Sequence, residues 1–434
     1  MKACAKCQRL FPDDGHFCPI DGTKLAPSKS VPVAPDPEDP RVGGTMCQGR
    51  YQIRRRIADG GMGRVYHALD IAENRGVAVK VLHSDIAQDD IALERFKREF
   101  ELSAKLPHEH IVDVLDFQET EDESFALVME YLEGEELRSQ LQRDGVVRPA
   151  RIVRVLSQLA KGLREPHALK LVHRDIKPDN IFMCGTESGP RVKLLDFGSV
   201  RDNSTGAKKL TLVGTTIGSP YYMAPEQAQG LDTLDQRADV WSLAAITYEA
   251  LTGQVPFLGA TGPQILLAIL SKEPTPPSVL ANADGFAGAP IPEALDDVLA
   301  DALSKNVSLR ISSVTELADR VGQAYGLDGD HAQWAELPEE DLQKRIDRAA
   351  STPRAAASSR SHGARAMGLA TGASGWEDAS PDGERGASLE KDLFADDDFV
   401  MGVPQTGTST KTMALIAVVA VVLLGVGLFF ALGR

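Results

Sequence analysis

Basic charge, aromatic side chains and cysteine are all scarce in this chain. Lysine and arginine number 47 against 62 aspartates and glutamates, which leaves a net charge of −15 over 434 residues. A nucleic-acid partner needs a basic face, so no nucleic-acid binding is expected. Aromatic residues make up only 6%, although a hydrophobic fraction of 43% suffices for a substantial core. The opening MKACAKCQRLF contains no apolar run long enough for a secretory signal, and the N-terminus is expected to stay in a reducing cytoplasm. Three of the five cysteines, Cys4, Cys7 and Cys18, cluster there, while Cys47 and Cys184 stand alone. In that compartment clustered thiols hold metal more often than they form disulfides.

Composition divides the rest. The length suggests roughly three domains. Residues 1–25 hold the cysteine cluster, and the proline-rich residues 26–44 read as a semi-extended spacer. Residues 45–325 show continuous strand and helix patterning. Residues 326–412 read as a linker: Trp334 and Leu337 suggest a short docking helix or nothing within 326–345, and the Ala/Ser/Gly-rich, acidic remainder cannot bury a core. Met413 to Leu432 carries no charge over 20 residues, and a helix of that length spans roughly 30 Å, the thickness of bilayer hydrocarbon. A transmembrane anchor is expected there. The alternative, a buried core helix, lacks a domain to bury it.

Chemistry concentrates in the middle segment. Ile57-Ala58-Asp59-Gly60-Gly61-Met62-Gly63-Arg64-Val65 joins two antiparallel strands, which excludes a dinucleotide-binding loop leading into a helix. In the next strand, Gly76 to Leu82, Lys80 is a lone cation among apolar residues. An edge lysine reaching water would be the ordinary explanation. The following helix, Asp90 to Lys105, changes that, because Glu99 falls on the same side as Phe96 and Leu102. A carboxylate facing the core needs a cation, and Lys80 is available. Downstream come His173-Arg174-Asp175-Ile176-Lys177-Pro178-Asp179-Asn180, Asp196-Phe197-Gly198 and Ala224-Pro225-Glu226, in that order.

These residues, from Tyr51 to Val321, resemble the eukaryotic-type protein kinases, and their bacterial serine/threonine branch in particular. The resemblance implies an α+β, two-lobed fold with a small β-rich lobe, about 51–132, and a larger helical one, with ATP and Mg²⁺ between them. Backbone amides near Gly60 to Gly63 would cover the phosphates, and Lys80, oriented by Glu99, would hold the α and β groups. Asn180 and Asp196 would hold Mg²⁺, Asp175 would accept the substrate hydroxyl's proton, and Lys177 would neutralise the γ-phosphate. Glu226 would pair with Arg310, and Asp239 would anchor the catalytic loop. Arg174 beside Asp175 implies a phosphate on the activation segment, with Thr211, Thr215 and Thr216 as candidates.

Ala58 departs from the family pattern, which has glycine there. The methyl matters only if φ is positive. The implied activity is phosphoryl transfer to serine and threonine of protein substrates, with the kinase domain on the cytoplasmic side of the inner membrane. The rival is a pseudokinase scaffold, which would usually have lost Lys80, Asp175, Asn180 or Asp196; all four are present. For the cysteine cluster, Cys4-x₂-Cys7 is echoed by Cys18-x₂-Asp21, so a structural zinc site with Asp21 as fourth ligand is expected ahead of one using His16. A protein partner for this segment and a homodimer both stay open.

Overall fold

The computed structural model describes residues 1–351 except 34, 62, 88–89, 197–200, 203–219 and 232–233. Met62, Thr211, Thr215, Thr216 and the apolar run 413–432 lie outside the described residues. Among the described residues no helix is long and apolar enough to cross a membrane.

The N-terminal head is a three-stranded antiparallel sheet in the order β2-β1-β3, from β1 (Lys2–Ala3), β2 (Leu10–Phe11) and β3 (Ala26–Pro27). Residues 26–44 correct the expectation of a spacer. Their prolines do keep the backbone mostly out of regular elements, but the segment is packed onto the small lobe. Val31 and Val42 are buried, and Asp39 is fully so. Tyr66 donates its hydroxyl to Asp39 Oδ2 at 2.9 Å, and Arg56 and Arg64 each approach that oxygen to 3.9 Å. Composition could not show this, because the partners sit in another part of the chain.

The small lobe is a six-stranded antiparallel sheet in the order β4-β5-β6-β7-β9-β8: β4 (Thr45–Met46), β5 (Tyr51–Asp59), β6 (Gly63–Asp70), β7 (Arg75–Leu82), β8 (Val114–Glu119) and β9 (Phe125–Glu130). Alternation sorts its two faces. Val77, Val79 and Val81 join Tyr51, Ile53, Tyr66, Ala68 and Val128 in one cluster, closed by Val42, Met46 and Cys47 from the N-terminal segment. The other face carries Lys80 and Leu82, with Leu82 packing on Phe96 of helix α2 (Asp90–Lys105), which follows the short α1 (Ser84–Ala87). Beyond α2, Val112 N donates to Leu194 O and Leu194 N to His110 O, tying this lobe to the next.

The large lobe begins with β10 (Gly134–Glu136), α3 (Leu137–Asp144) and the central α4 (Pro149–Ala168). Then come β11 (Leu171–Val172), β12 (Ile181–Cys184), β13 (Arg191–Leu194) and β14 (Arg201–Asp202), giving the small sheets β10-β12-β13 and β11-β14 that frame the catalytic segments. Helices α5 (Pro225–Ala228), α6 (Arg237–Thr252), α7 (Gly262–Ser271), α8 (Pro277–Ala281), α9 (Ala294–Ala302) and α10 (Val314–Ala324) complete the lobe. α6 is buried on nearly all sides, Trp241 included, and sits at the centre of one large apolar cluster.

Of the two alternatives for residues 326–345 the structure has the docking helix, and helix runs on to Ser351, which corrects the linker expected over 326–351. α11 (His331–Glu336) and α12 (Glu339–Ser351) pack on α4, burying Trp334, Leu342 and Ile346. Trp334 packs on Gly322, where a Cβ would come within 2.1 Å of the ring. Its indole N–H donates to Asp328 O at 3.0 Å. The one large aromatic in a polar stretch is the anchor, and its own helix is too short to show a clear apolar period.

Candidate active site

β5 and β6 deliver the glycine-rich loop. Gly60 N donates to Gly63 O at 3.0 Å, closing the turn, and Gly61 has open space where a side chain would stand. Gly63 has none, since a Cβ there would meet Val81 O at 2.2 Å. Ala58 pairs with Val65 inside the ladder and is not among the residues with positive φ, so its methyl costs nothing conformationally. Ile57 to Gly61 are exposed, leaving their backbone accessible. Two contacts at the stem escaped the sequence reading. His83 Nε2 lies 2.9 Å from Gly60 O, and Arg64 Nε donates to Asp59 Oδ2 at 2.8 Å.

Register places Lys80 opposite Val65 on the α2 side of the sheet. Its ammonium donates to Asp196 Oδ1 at 2.8 Å and to Glu99 Oε2 at 3.4 Å. Burial works against a charge on Lys80, but the two carboxylates outweigh it and raise its pKa. Burial pushes Glu99 up to about 8, with Asp196 adding repulsion. For Asp196 burial also opposes ionisation, yet Lys80 holds it well below the usual carboxylate range. The lysine's charge is therefore committed mainly to Asp196, with Glu99 as a buried second acceptor. Asp196 itself has a φ of +64°, a left-handed conformation rarely held without cause.

The catalytic segment lies beside it. Lys177 Nζ donates to Asp175 Oδ2 at 2.8 Å, and Asn180 Nδ2 donates to Asp175 O at 2.8 Å and to Oδ2 at 3.2 Å. Leu195 N donates to Asn180 O at 2.9 Å, coupling this segment to Asp196. Fully buried Asp239 holds the turn from below, accepting from His173 N and Arg174 N at 2.9 Å each and lying 2.8 Å from His167 Nε2. Burial raises its pKa, but His167, His173 and the Arg174 amide keep it low, so it stays an anion. Arg310 forks onto Glu226 at 2.6 and 2.9 Å in the interior, as the sequence implied. A carboxylate and an amide oxygen, from Asp196 and Asn180, are the hard donors that Mg²⁺ prefers. Lys80 adds a cation and the loop adds backbone amides. The residues present fit a nucleotide triphosphate with its metal.

A second constellation lies in the head. Ligand atoms of Cys4, Cys7, Cys18 and Asp21 all fall within 4.8 Å of one another. Cys7 and Cys18 sulfurs are 3.6 Å apart, and Cys4 Sγ is 3.3 Å from Asp21 Oδ2. Tetrahedral zinc with bonds of about 2.3 Å puts sulfurs about 3.8 Å apart, so the set fits. The two halves repeat bond for bond. Cys4 N donates to Arg9 O and Gln8 N to Cys4 O; Cys18 N donates to Thr23 O and Gly22 N to Cys18 O. Asp21 thus stands where Cys7 stands, while His16 is exposed and outside the set.

Residues 51–321 match the model of the protein kinase domain. The chain is 34% identical over 278 residues to the serine/threonine-protein kinase pkn3 of Myxococcus xanthus, covering 63% of this chain and 50% of the relative. It is 36% identical over 271 residues to PknB of Mycobacterium tuberculosis, covering 62% and 42%. It is 32% identical over 285 residues to PrkC of Bacillus subtilis, covering 66% and 42%. The matched stretch thus spans half or less of each relative's length. With the loop, the Lys80–Glu99 pair and the Asp175 and Asp196 segments assembled in one cleft, the chain belongs to the protein kinase domain family.

Proposed function

We propose that this protein transfers the γ-phosphoryl group of ATP to serine and threonine hydroxyls of proteins, itself included. The observation that carries the reading is the pairing of two clusters. Lys80 bridges Glu99 and Asp196, and Lys177 and Asn180 converge on Asp175. In this family transfer is mostly positioning and charge neutralisation. Asp196 and Asn180 would hold Mg²⁺, which would supply charge neutralisation for the phosphates, and Lys80 would hold the α and β groups. Asp175 accepts the acceptor hydroxyl's hydrogen and orients its oxygen in line. Lys177, already 2.8 Å from Asp175, neutralises charge on the transferring group.

The test is labelling by Mg-ATP of the full-length chain and of a generic basic protein acceptor. Asp175→Asn and Lys80→Met are expected to abolish both while leaving the fold intact by circular dichroism. A wild-type chain that binds ATP yet never labels either would establish a scaffold instead. Phosphorylation of the activation segment at Thr211, Thr215 or Thr216 is supported by Arg174 preceding Asp175. Full activity with that segment unmodified by mass spectrometry would end this part.

Two further parts of the reading have separate support. The charge-free run Met413 to Leu432 supports a single-pass anchor in the inner membrane with the kinase domain cytoplasmic. Protease treatment of intact spheroplasts should leave the kinase domain undigested. The four ligand atoms of the head support structural Zn²⁺ held by Cys4, Cys7, Cys18 and Asp21. About one zinc per full-length chain is expected, and Asp21→Cys should tighten it, since zinc favours thiolate in closed structural sites.

A further inference from the structure

The head does not hang free of the kinase domain. Leu69 of β6 packs with Ala3, Leu10 and Val31, with Met1 and Ala26 at the edge of the cluster. A Cβ at Gly76 would stand 3.5 Å from Leu10 and 3.8 Å from Met1. Beside this apolar contact Arg54, 1% exposed, reaches out of β5. It donates to Ser28 O at 3.2 Å, Val31 O at 3.4 Å and Gln8 Oε1 at 3.1 Å. A buried guanidinium without such acceptors would be costly, so the head and its connecting segment satisfy a charge that belongs to the small lobe.

The docking site shares a face with the nucleotide site. In the β6–β7 ladder Val65 faces Lys80, His67 faces Ala78 and Leu69 faces Gly76, so all six side-chain positions line one surface. From Lys80 to Gly76 is four residues along the strand, about 13 Å. Midway, His67 stacks on Tyr131 with ring centroids 3.8 Å apart, and Arg55 donates to the Tyr131 hydroxyl at 3.0 Å. Tyr131 directly follows β9 on the way into the large lobe. The head therefore abuts the sheet where it meets the strand leaving for the other lobe.

Gln8 joins the metal site to this contact. In the repeated turn, the position after the fourth ligand is Gly22 with φ +71°, but after Cys7 it is Gln8 with φ +60°. A glutamine there is uncommon and strained, whereas glycine is at ease. The Gln8 side chain, however, accepts from Arg54 and donates to Ala5 O at 2.9 Å and Pro32 O at 3.3 Å. A residue unsuited to the turn is suited to the docking.

We propose that metal occupancy of the head braces the small lobe: the loaded head holds Arg54 and Leu69 through Gln8 and Leu10, and metal loss releases that hold and weakens nucleotide binding. A head of this size has too little core to keep its shape without the ion. This inference rests on the zinc reading of the head and deepens it from structure to regulation.

The experiment uses the full-length chain in reduced buffer and measures zinc content, Mg-ADP affinity and amide exchange across residues 63–70 and 125–131. Stripping zinc with a chelator should weaken Mg-ADP by about fivefold or more, the usual size of a coupling between sites, and should raise exchange in both segments; zinc readdition should reverse this. Gln8→Gly, which relaxes the turn, should keep the zinc and still weaken nucleotide binding, as should Arg54→Met. Should Arg54→Met fail to fold, Gln8→Gly decides alone. Bound zinc whose removal changes neither affinity nor exchange would overturn the brace and leave the zinc site standing. Absence of zinc from the wild-type chain would overturn both.

Discussion

The kinase fold is flanked by two added segments, and they are fastened differently. At the N-terminal side the head and residues 26–47 attach through apolar contacts, Leu10 and Val31 on Leu69 and Val42 on the sheet, interleaved with buried polar anchors: Arg54 with backbone carbonyls, and Asp39 with Tyr66, Arg56 and Arg64. At the C-terminal side α11 and α12 attach through an apolar plug, Trp334 over Gly322, with buried Glu339 clasped by Arg148 and Arg151. The apolar plug itself needs no charged partner, because burial of the indole is its main contribution. The polar anchors depend on partners that keep their charge. One attachment rests chiefly on burial, and the other on burial and charge together.

Trp334→Ala should have the largest effect on this contrast, costing about 3–5 kcal/mol for an emptied aromatic site. Denaturant unfolding of the full-length chain measures it. A loss below 1 kcal/mol would mean that the C-terminal helices are not fixed by their plug. Asp39→Ala comes next, leaving the buried Tyr66 hydroxyl without its acceptor at about 1–3 kcal/mol, while Arg56 and Arg64 keep Asp59. An unchanged unfolding midpoint would show that the N-terminal strap is not held there.

His67 separates the two ends by pH. Burial pushes its pKa down to about 3, with Arg55, Arg54 and Arg9 adding repulsion. In the unfolded chain it titrates near 6.5, so between these values only the unfolded chain takes up the proton. The stability present above pH 6.5 is lost as pH falls from about 6.5 towards 3, roughly 2 kcal/mol of it by pH 5. His67→Leu should flatten that part of the stability profile, and an unaltered slope would count against it. The smallest effect is expected of Ala58→Gly. Because Ala58 lies in a paired strand, glycine there should cost about 0.5–1 kcal/mol rather than restore anything. A gain in stability would show that the alanine is strained after all.

What the sequence made legible was local or carried by motif. Lys80 and Glu99 could be paired because one alternates with valines in a strand and the other shares a helix face with Phe96. Asp175, Asn180 and Asp196 came as a set from the family resemblance, and Asp21 came from a repeated spacing. What stayed hidden were contacts whose partners are far apart in the chain. Arg54 meets Val31, and Tyr66 meets Asp39, between residues that no periodicity connects. Proline and aspartate in residues 26–44 look solvent-loving until the partner surface is known. Trp334 pointed to a docking helix or nothing, and its seat on Gly322 could not be read from the sequence. His83 at the loop stem carried no signal beyond its position after β7.

The contact between Lys80 and Asp196 has a consequence for how two ligands would help each other. The two groups hold opposite charges 2.8 Å apart, so a ligand pair that puts an anion on Lys80 and a cation on Asp196 replaces both halves of the contact at once. A lone cation or a lone anion would satisfy one group and leave the other short of its partner. Magnesium and nucleotide should therefore each bind more tightly in the presence of the other.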